Sequence, residues 1–233
     1  MPRVRVHQHV NPLAPFYRQA SPPLNLVAIF ANCELPLHLD IGCARGRFLL
    51  RMAKIEPRWN FLGVEIREPL VAEANSIADE ENLNNLHYEF CNAMLWLDRL
   101  LQDIPKNCLQ MVTIQFPDPW FKKKHAKRRM INADLVGTVV DKLALGGSIF
   151  VQTDIEPLSA EIFAYFSADA RLKPSVLLAN PFLAKTEREI AVETKGQKVY
   201  RMLFKKRSTH DRVRNPLGQR DMGQNSPGED PKY

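Results

Sequence analysis

The 233-residue chain reads as an α/β protein built on a mainly parallel sheet with helices on both faces. Three observations carry that expectation. Short apolar runs alternate with longer amphipathic stretches. A glycine-bearing turn follows the first run at once. Acids or amides close several runs, where ligands gather in such sheets.

The apolar runs fall at 35–41, 61–66, 86–90, 109–116, 148–153 and 199–204. Helical stretches are expected at 46–55, 68–82, 93–102, 130–143 and 156–168. Residues 1–24 are polar and proline-bearing and read as a loosely held arm, 25–205 as a single domain, and 206–233 as a disordered basic tail.

Composition narrows the class. A hydrophobic content of 45% supports an ordinary core, and no apolar run approaches the ~20 residues needed to span a bilayer. The N-terminus lacks the continuous apolar segment of a signal peptide. Cys33, Cys43, Cys91 and Cys108 show neither a paired motif nor metal-like spacing with histidine, so reduced thiols in a cytoplasmic protein and no metal are expected. Net charge is +6, and 122–129 (KKKHAKRR) alone contributes +6. The stretch 205–233 adds +3, which leaves the remainder at −3. Positive charge gathered in two places fits a phosphate-bearing partner.

The first run ends LHLDIGCARGRFLL, with Asp40 closing the strand and Gly42 and Gly46 in the turn before a helix. No Gly-Lys-Ser/Thr follows, which excludes a Walker loop. The spacing also departs from the dinucleotide fingerprint, with Ala44 in place of a middle glycine. Taken alone, such a turn is as consistent with a structural role. The second run ends at Glu65, 23 residues after Gly42, close to the ~20-residue offset of an acid that holds ribose hydroxyls. An acid leading the first turn suits a cationic ligand better than a pyrophosphate. S-adenosylmethionine carries a sulfonium and an amino group, and fits. Asn92 closes the third run, either to read an adenine edge or to cap the helix behind it.

The fourth run opens into FPDPWFKKKHAKRR. Two prolines flank Asp118 and stiffen the turn that presents its carboxylate. Trp120 and Phe121 offer flat surfaces to a base, or cover the core edge. Lys122, Lys123, Lys124, Lys127, Arg128 and Arg129 can neutralise phosphates, with His125 a weaker contributor.

The combination of DIGCARGRF, FLGVEI, FPDPWFKKKHAKRR, QTD and a late TERE resembles the bacterial tRNA (guanine-N7)-methyltransferases over roughly 35–205. The resemblance implies a Rossmann-like class I methyltransferase fold with a mainly parallel seven-stranded sheet. It implies S-adenosylmethionine as methyl donor, held by Asp40, Gly42, Gly46, Glu65, Asn92 and Asp118. It also implies tRNA as partner, with guanine 46 of the variable loop as target. Substrate contacts are implied for Lys122, Asp154, Thr186, Glu187, Arg188 and Glu189. RNA contacts are implied for Lys124, His125, Ala126, Lys127, Arg128 and Arg129. No obligatory protein partner follows from it, and monomer and homodimer both stay open. Two departures are visible: Asn92 stands where many relatives carry Asp, and Ala44 replaces a common glycine.

Guanine N7 carries a lone pair and no proton, so transfer needs alignment more than a base. Asp118 is expected to stabilise charge developing on the purine. Asp154 could accept from guanine N1–H and the 2-amino group, or cap the helix that follows it. Thr186 and Glu189 also fit a capping box. Two rivals remain at this point. An exocyclic-amine methyltransferase would want Asn/Asp-Pro-Pro-aromatic where this chain has Asp118-Pro119-Trp120. A non-catalytic RNA-binding module would not need the three acids.

Overall fold

The computed structural model describes residues 10–120 and 127–208. Seven strands form one sheet in the order β3-β2-β1-β4-β5-β7-β6. They are β1 (Leu37–Ile41), β2 (Asn60–Glu65), β3 (Leu86–Phe90), β4 (Leu109–Gln115), β5 (Ser148–Thr153), β6 (Leu172–Leu177) and β7 (Tyr200–Lys206). The first five are mutually parallel, and β7 runs antiparallel between β5 and β6. Strand order reverses at β1 and β4, so a crevice opens between their carboxyl ends.

The helices are α1 (Leu26–Ile29), α2 (Arg47–Ile55), α3 (Glu68–Glu80), α4 (Ala93–Leu100), α5 (Ala133–Lys142), α6 (Glu156–Ser167) and α7 (Glu187–Thr194). Apolar side chains recur at helical spacing, and they bury two separate cores. α2 and α3 cover one face with Phe48, Leu49, Met52, Val71 and Ala74. α1, α4, α5 and α6 cover the other with Leu97, Leu100, Val139, Ile162 and Phe166 among others. Alternate residues of each central strand point to opposite faces, which is why β1 and β2 are buried along their whole length. Proline in the first turn starts α3 and α6, where its missing N–H costs nothing. Asn132 caps α5 by accepting from Leu135 N at 2.9 Å.

Every strand and helix range expected from the sequence is occupied by an element of that type, with ends shifted by a few residues. Four elements among the described residues fall outside those ranges: a 3-10 turn at Pro15–Arg18, and β6, α1 and α7. β6 contains Pro174 and is largely exposed, so it lacks the apolar signature of a strand. An edge position tolerates both features. α1 is four residues long, too short to show a period. α7 carries charge on most of its turns, so only its start was legible, in the capping box of Thr186 and Glu189.

Among the described residues, 10–24 of the arm pack against the domain. Leu24 and Ser21 are buried, and Leu24 N donates to Leu100 O at 3.0 Å. The stretch 209–233, most of the expected tail, lies outside the described residues.

Candidate active site

A cleft of about 760 Å³ lies at the carboxyl ends of β1 to β5. Asp40, Gly42, Glu65, Asn92, Asp118, Asp154, Thr186, Glu187 and Arg188 all line it. Residues far apart in sequence are brought together because each follows a parallel strand that ends on the same side.

The turn after β1 is shaped by backbone. Gly42 and Gly46 have φ of +79° and +69°. A side chain on Gly42 would meet nothing within 4 Å, so the turn leaves open space beside Asp40. Gly46 does not line the cleft; it supports it. A Cβ there would lie 2.4 Å from the Tyr88 ring, whose hydroxyl donates to Gly46 O at 2.6 Å. Ala44 also adopts a positive φ of 53°, and its N–H donates to Glu65 Oε2 at 2.9 Å. The glycine expected here is absent, yet the left-handed conformation is kept.

Asp40 is buried and accepts from Thr113 Oγ1 at 2.6 Å. Burial pushes its carboxyl up to about 6, against the pull of hydrogen bonds from Thr113 and Gln115. His38 lies 3.1 Å from the same hydroxyl and packs against Phe182, Phe48 and Phe61. Its imidazole is lowered to about 3 by burial, so it is a neutral structural partner of Thr113. Thr113 and Phe182 gave no sequence signal, since neither belongs to a motif.

Glu65 is fully engaged. Its Oε1 accepts from Ile66 N, Arg67 N and Arg67 Nε, and its Oε2 from Ala44 N and Arg67 Nη2. Arg67, which no motif pointed to, lines the cleft beside it. A diol arriving at Glu65 must share or displace that guanidinium.

Asn92 departs from one of its two expected roles. It occupies the N-cap position of α4 but makes no capping bond. Its amide donates instead to Pro12 O and Tyr17 O, at 2.8 and 3.0 Å.

The turn after β4 is shaped by strain and charge. Phe116 and Trp120 bracket Pro117-Asp118-Pro119 with φ of 53° and 41°. Bulky residues rarely adopt that region, and such outliers cluster at functional sites. Arg128 lies over the Trp120 ring at 5.0 Å, so this indole works as a platform for a cation. Arg129, expected on RNA, is turned inward. Its Nε donates to Pro119 O at 3.0 Å and its Nη1 pairs with Glu161. It therefore braces the turn. Lys122, Lys124, His125 and Ala126 lie outside the described residues, as do Phe121 and Lys123.

Asp154 faces the cleft and is paired with Arg188; the cap of α6 is Ile155, so Asp154 is not the helix cap. Glu187 pairs with Arg47 across the cleft mouth. Thr186 caps α7 by accepting from Glu189 N at 3.1 Å. Glu189, expected to touch substrate, is wholly buried instead. It accepts from Gln152 Nε2, Asn180 Nδ2 and Arg201 Nη2 at 3.1, 2.7 and 2.8 Å. Apolar surroundings force a carboxylate into such a network, so Glu189 anchors α7 to β5 and β7.

A family model described as "Putative methyltransferase" matches residues 34–202. A tRNA (guanine-N(7)-)-methyltransferase of Trichormus variabilis is 50% identical over 210 residues, covering 88% of this chain and 98% of the relative. One from Synechococcus elongatus is 51% identical over 207 residues, covering 88% and 97%. Among solved structures, an rRNA methylase from Streptococcus thermophilus aligns with a TM-score of 0.50 at 10% identity, covering 78% of this chain and 92% of that one. An aminoglycoside resistance methyltransferase gives 0.51 at 15%, covering 77% and 89%. These two likenesses speak to the fold, that of class I methyltransferases. With half the sequence shared along nearly the whole of each relative, the chain belongs to the tRNA (guanine-N7)-methyltransferase family.

Proposed function

We propose that this protein methylates N7 of guanine 46 in the variable loop of tRNA, with S-adenosylmethionine as donor. The observation that carries the reading is one cleft in which Asp40, Glu65, Asn92 and the Asp118 turn converge, with Arg128 at its lining. The acids suit a cationic donor, and the open space beside Gly42 admits its amino-acid end close to backbone. When bound, the donor supplies an electrophilic methyl carbon that the unprotonated N7 accepts, leaving S-adenosylhomocysteine and a positive charge on the purine.

The chain's own residues then have separable tasks. Asp40 balances the donor's positive charge. Glu65 offers its carboxylate to the ribose, in exchange with Arg67. Asp118, on its braced turn, holds a negative charge beside the developing purinium at no cost of reorganisation. Asp154 accepts from the guanine edge once Arg188 moves aside to a phosphate, with Thr186 and Glu187 forming the adjoining wall. Lys122, Lys124, His125, Ala126, Lys127 and Arg128 meet the RNA backbone, where they supply affinity without base choice. The protein acts in the cytoplasm, where its four cysteines remain free thiols.

The test is methyl transfer from labelled S-adenosylmethionine to unmodified tRNA, followed by nucleoside analysis. Label in 7-methylguanosine, lost when guanine 46 is replaced by adenine, is the expected result. Label in N6-methyladenosine or N4-methylcytidine would overturn it.

A further inference from the structure

Asn92 is 5% exposed and stands at the carboxyl end of β3. Its two amide ends face different surroundings. Nδ2 donates to Pro12 O and Tyr17 O. Carbonyl oxygens only accept, so the nitrogen and not the oxygen must face the arm. Oδ1 receives no donor among the described residues. Nor is it among the polar atoms walled off without a partner, so it opens on the cleft that Asn92 lines.

The arm is folded so as to bring those two carbonyls together. Leu13 N donates to Asn11 Oδ1 at 3.3 Å, and Ala14 N to Asn11 O at 3.0 Å. Tyr17 N donates to Ala14 O, also at 3.0 Å, and Arg18 Nε to Leu13 O at 3.0 Å. Val10 and Pro12 themselves line the cleft.

We infer that the N-terminal arm is a specificity-positioning element, which locks the Asn92 amide so that it shows the donor's base an acceptor and never a donor. A free amide can turn by half a rotation and serve either kind of base edge. A locked one selects a purine bearing an exocyclic amino group, as adenine does, over one bearing a carbonyl at that position. The inference rests on the cofactor reading above and adds to it how an amide does the work of a carboxylate.

The test is calorimetric titration of the full-length chain with S-adenosylhomocysteine and with its inosine counterpart, in which the 6-amino group is a carbonyl. The native chain should prefer the adenosyl compound by ~10-fold or more, the worth of about one lost hydrogen bond with an unsatisfied acceptor. The double substitution Asn11→Ala, Arg18→Ala removes the two side-chain bonds that brace the arm and leaves its two backbone bonds unsupported. It should speed hydrogen exchange at Ala14 and Tyr17 and shrink the preference to ~3-fold or less. Asn92→Asp gives up both bonds to the arm and can show the base only acceptors, so whatever preference it retains should not respond to the arm substitutions. An undiminished preference in the loosened chain overturns the inference. So does an equal drop in the Asn92→Asp background, or a native chain without preference. A native chain that binds neither compound instead removes the cofactor reading, and this inference with it.

Discussion

The cleft has two halves of different construction. On the β1–β3 side, geometry is set largely by backbone (left-handed turn residues, a tyrosine packed under Gly46, and main-chain N–H groups on Glu65), with the partly buried pairs Arg67–Glu65 and Arg45–Glu73 beside it. On the β4–β5 side it is set by ion pairs between elements: Arg188 with Asp154, Arg47 with Glu187, Arg129 with Glu161, and Arg201 with Glu189. A small ligand that is always the same can be met by fixed backbone. A large polyanion needs charges that can change partners, and exposed pairs are weak enough to do so. Of these four pairs Glu189–Arg201 is the buried one, and it anchors α7 beneath the more exposed ones.

Breaking that buried pair should have the largest effect. Arg201→Ala leaves the buried Glu189 without its ion-pair partner, so we expect a loss of about 3–5 kcal/mol in urea unfolding. Next comes the backbone half. Gly46→Ala combines a positive φ with a contact against the Tyr88 ring, and should cost about 2–3 kcal/mol in the same measurement. The third concerns pH. Because burial raises the Asp40 carboxyl to about 6, its proton stabilises the empty fold at low pH, and that contribution is lost as pH rises through about 6. A cationic donor prefers the ionised form, so its affinity should fall by up to ~10-fold per pH unit below that point. Asp40→Asn should abolish this step in calorimetry. The fourth probes the exchangeable charges: Arg128→Ala should reduce the salt slope of tRNA binding by about 1. The smallest is Ala44→Gly, which relieves a left-handed alanine at some entropic cost and should shift stability by about 1 kcal/mol or less.

The two halves were not equally legible in sequence. Strands that are buried along their length announce themselves, and Asp40, Glu65, Asn92 and Asp118 stood out because strand ends and turn residues sit at fixed offsets. Side-chain partnerships do not repeat in sequence. Glu189 looked like a capping or substrate acid because only the fold shows Arg201 behind it. Arg129 looked like one more cation in a basic run until Pro119 O and Glu161 claimed it. Arg67, Thr113 and Phe182 were invisible for the same reason. The arm's grip on Asn92 is a contact to carbonyl oxygens, which any residue supplies, so no residue type could betray it.

The central claim is that the strained turn after β4 places a charge where the purine becomes positive. The direct measurement is single-turnover methyl transfer by Asp118→Asn, with saturating S-adenosylmethionine and unmodified tRNA. The account predicts a rate lower by ~10²-fold, with tRNA affinity within ~3-fold of the native chain. An Asp118→Asn enzyme that forms 7-methylguanosine at the native rate would contradict it.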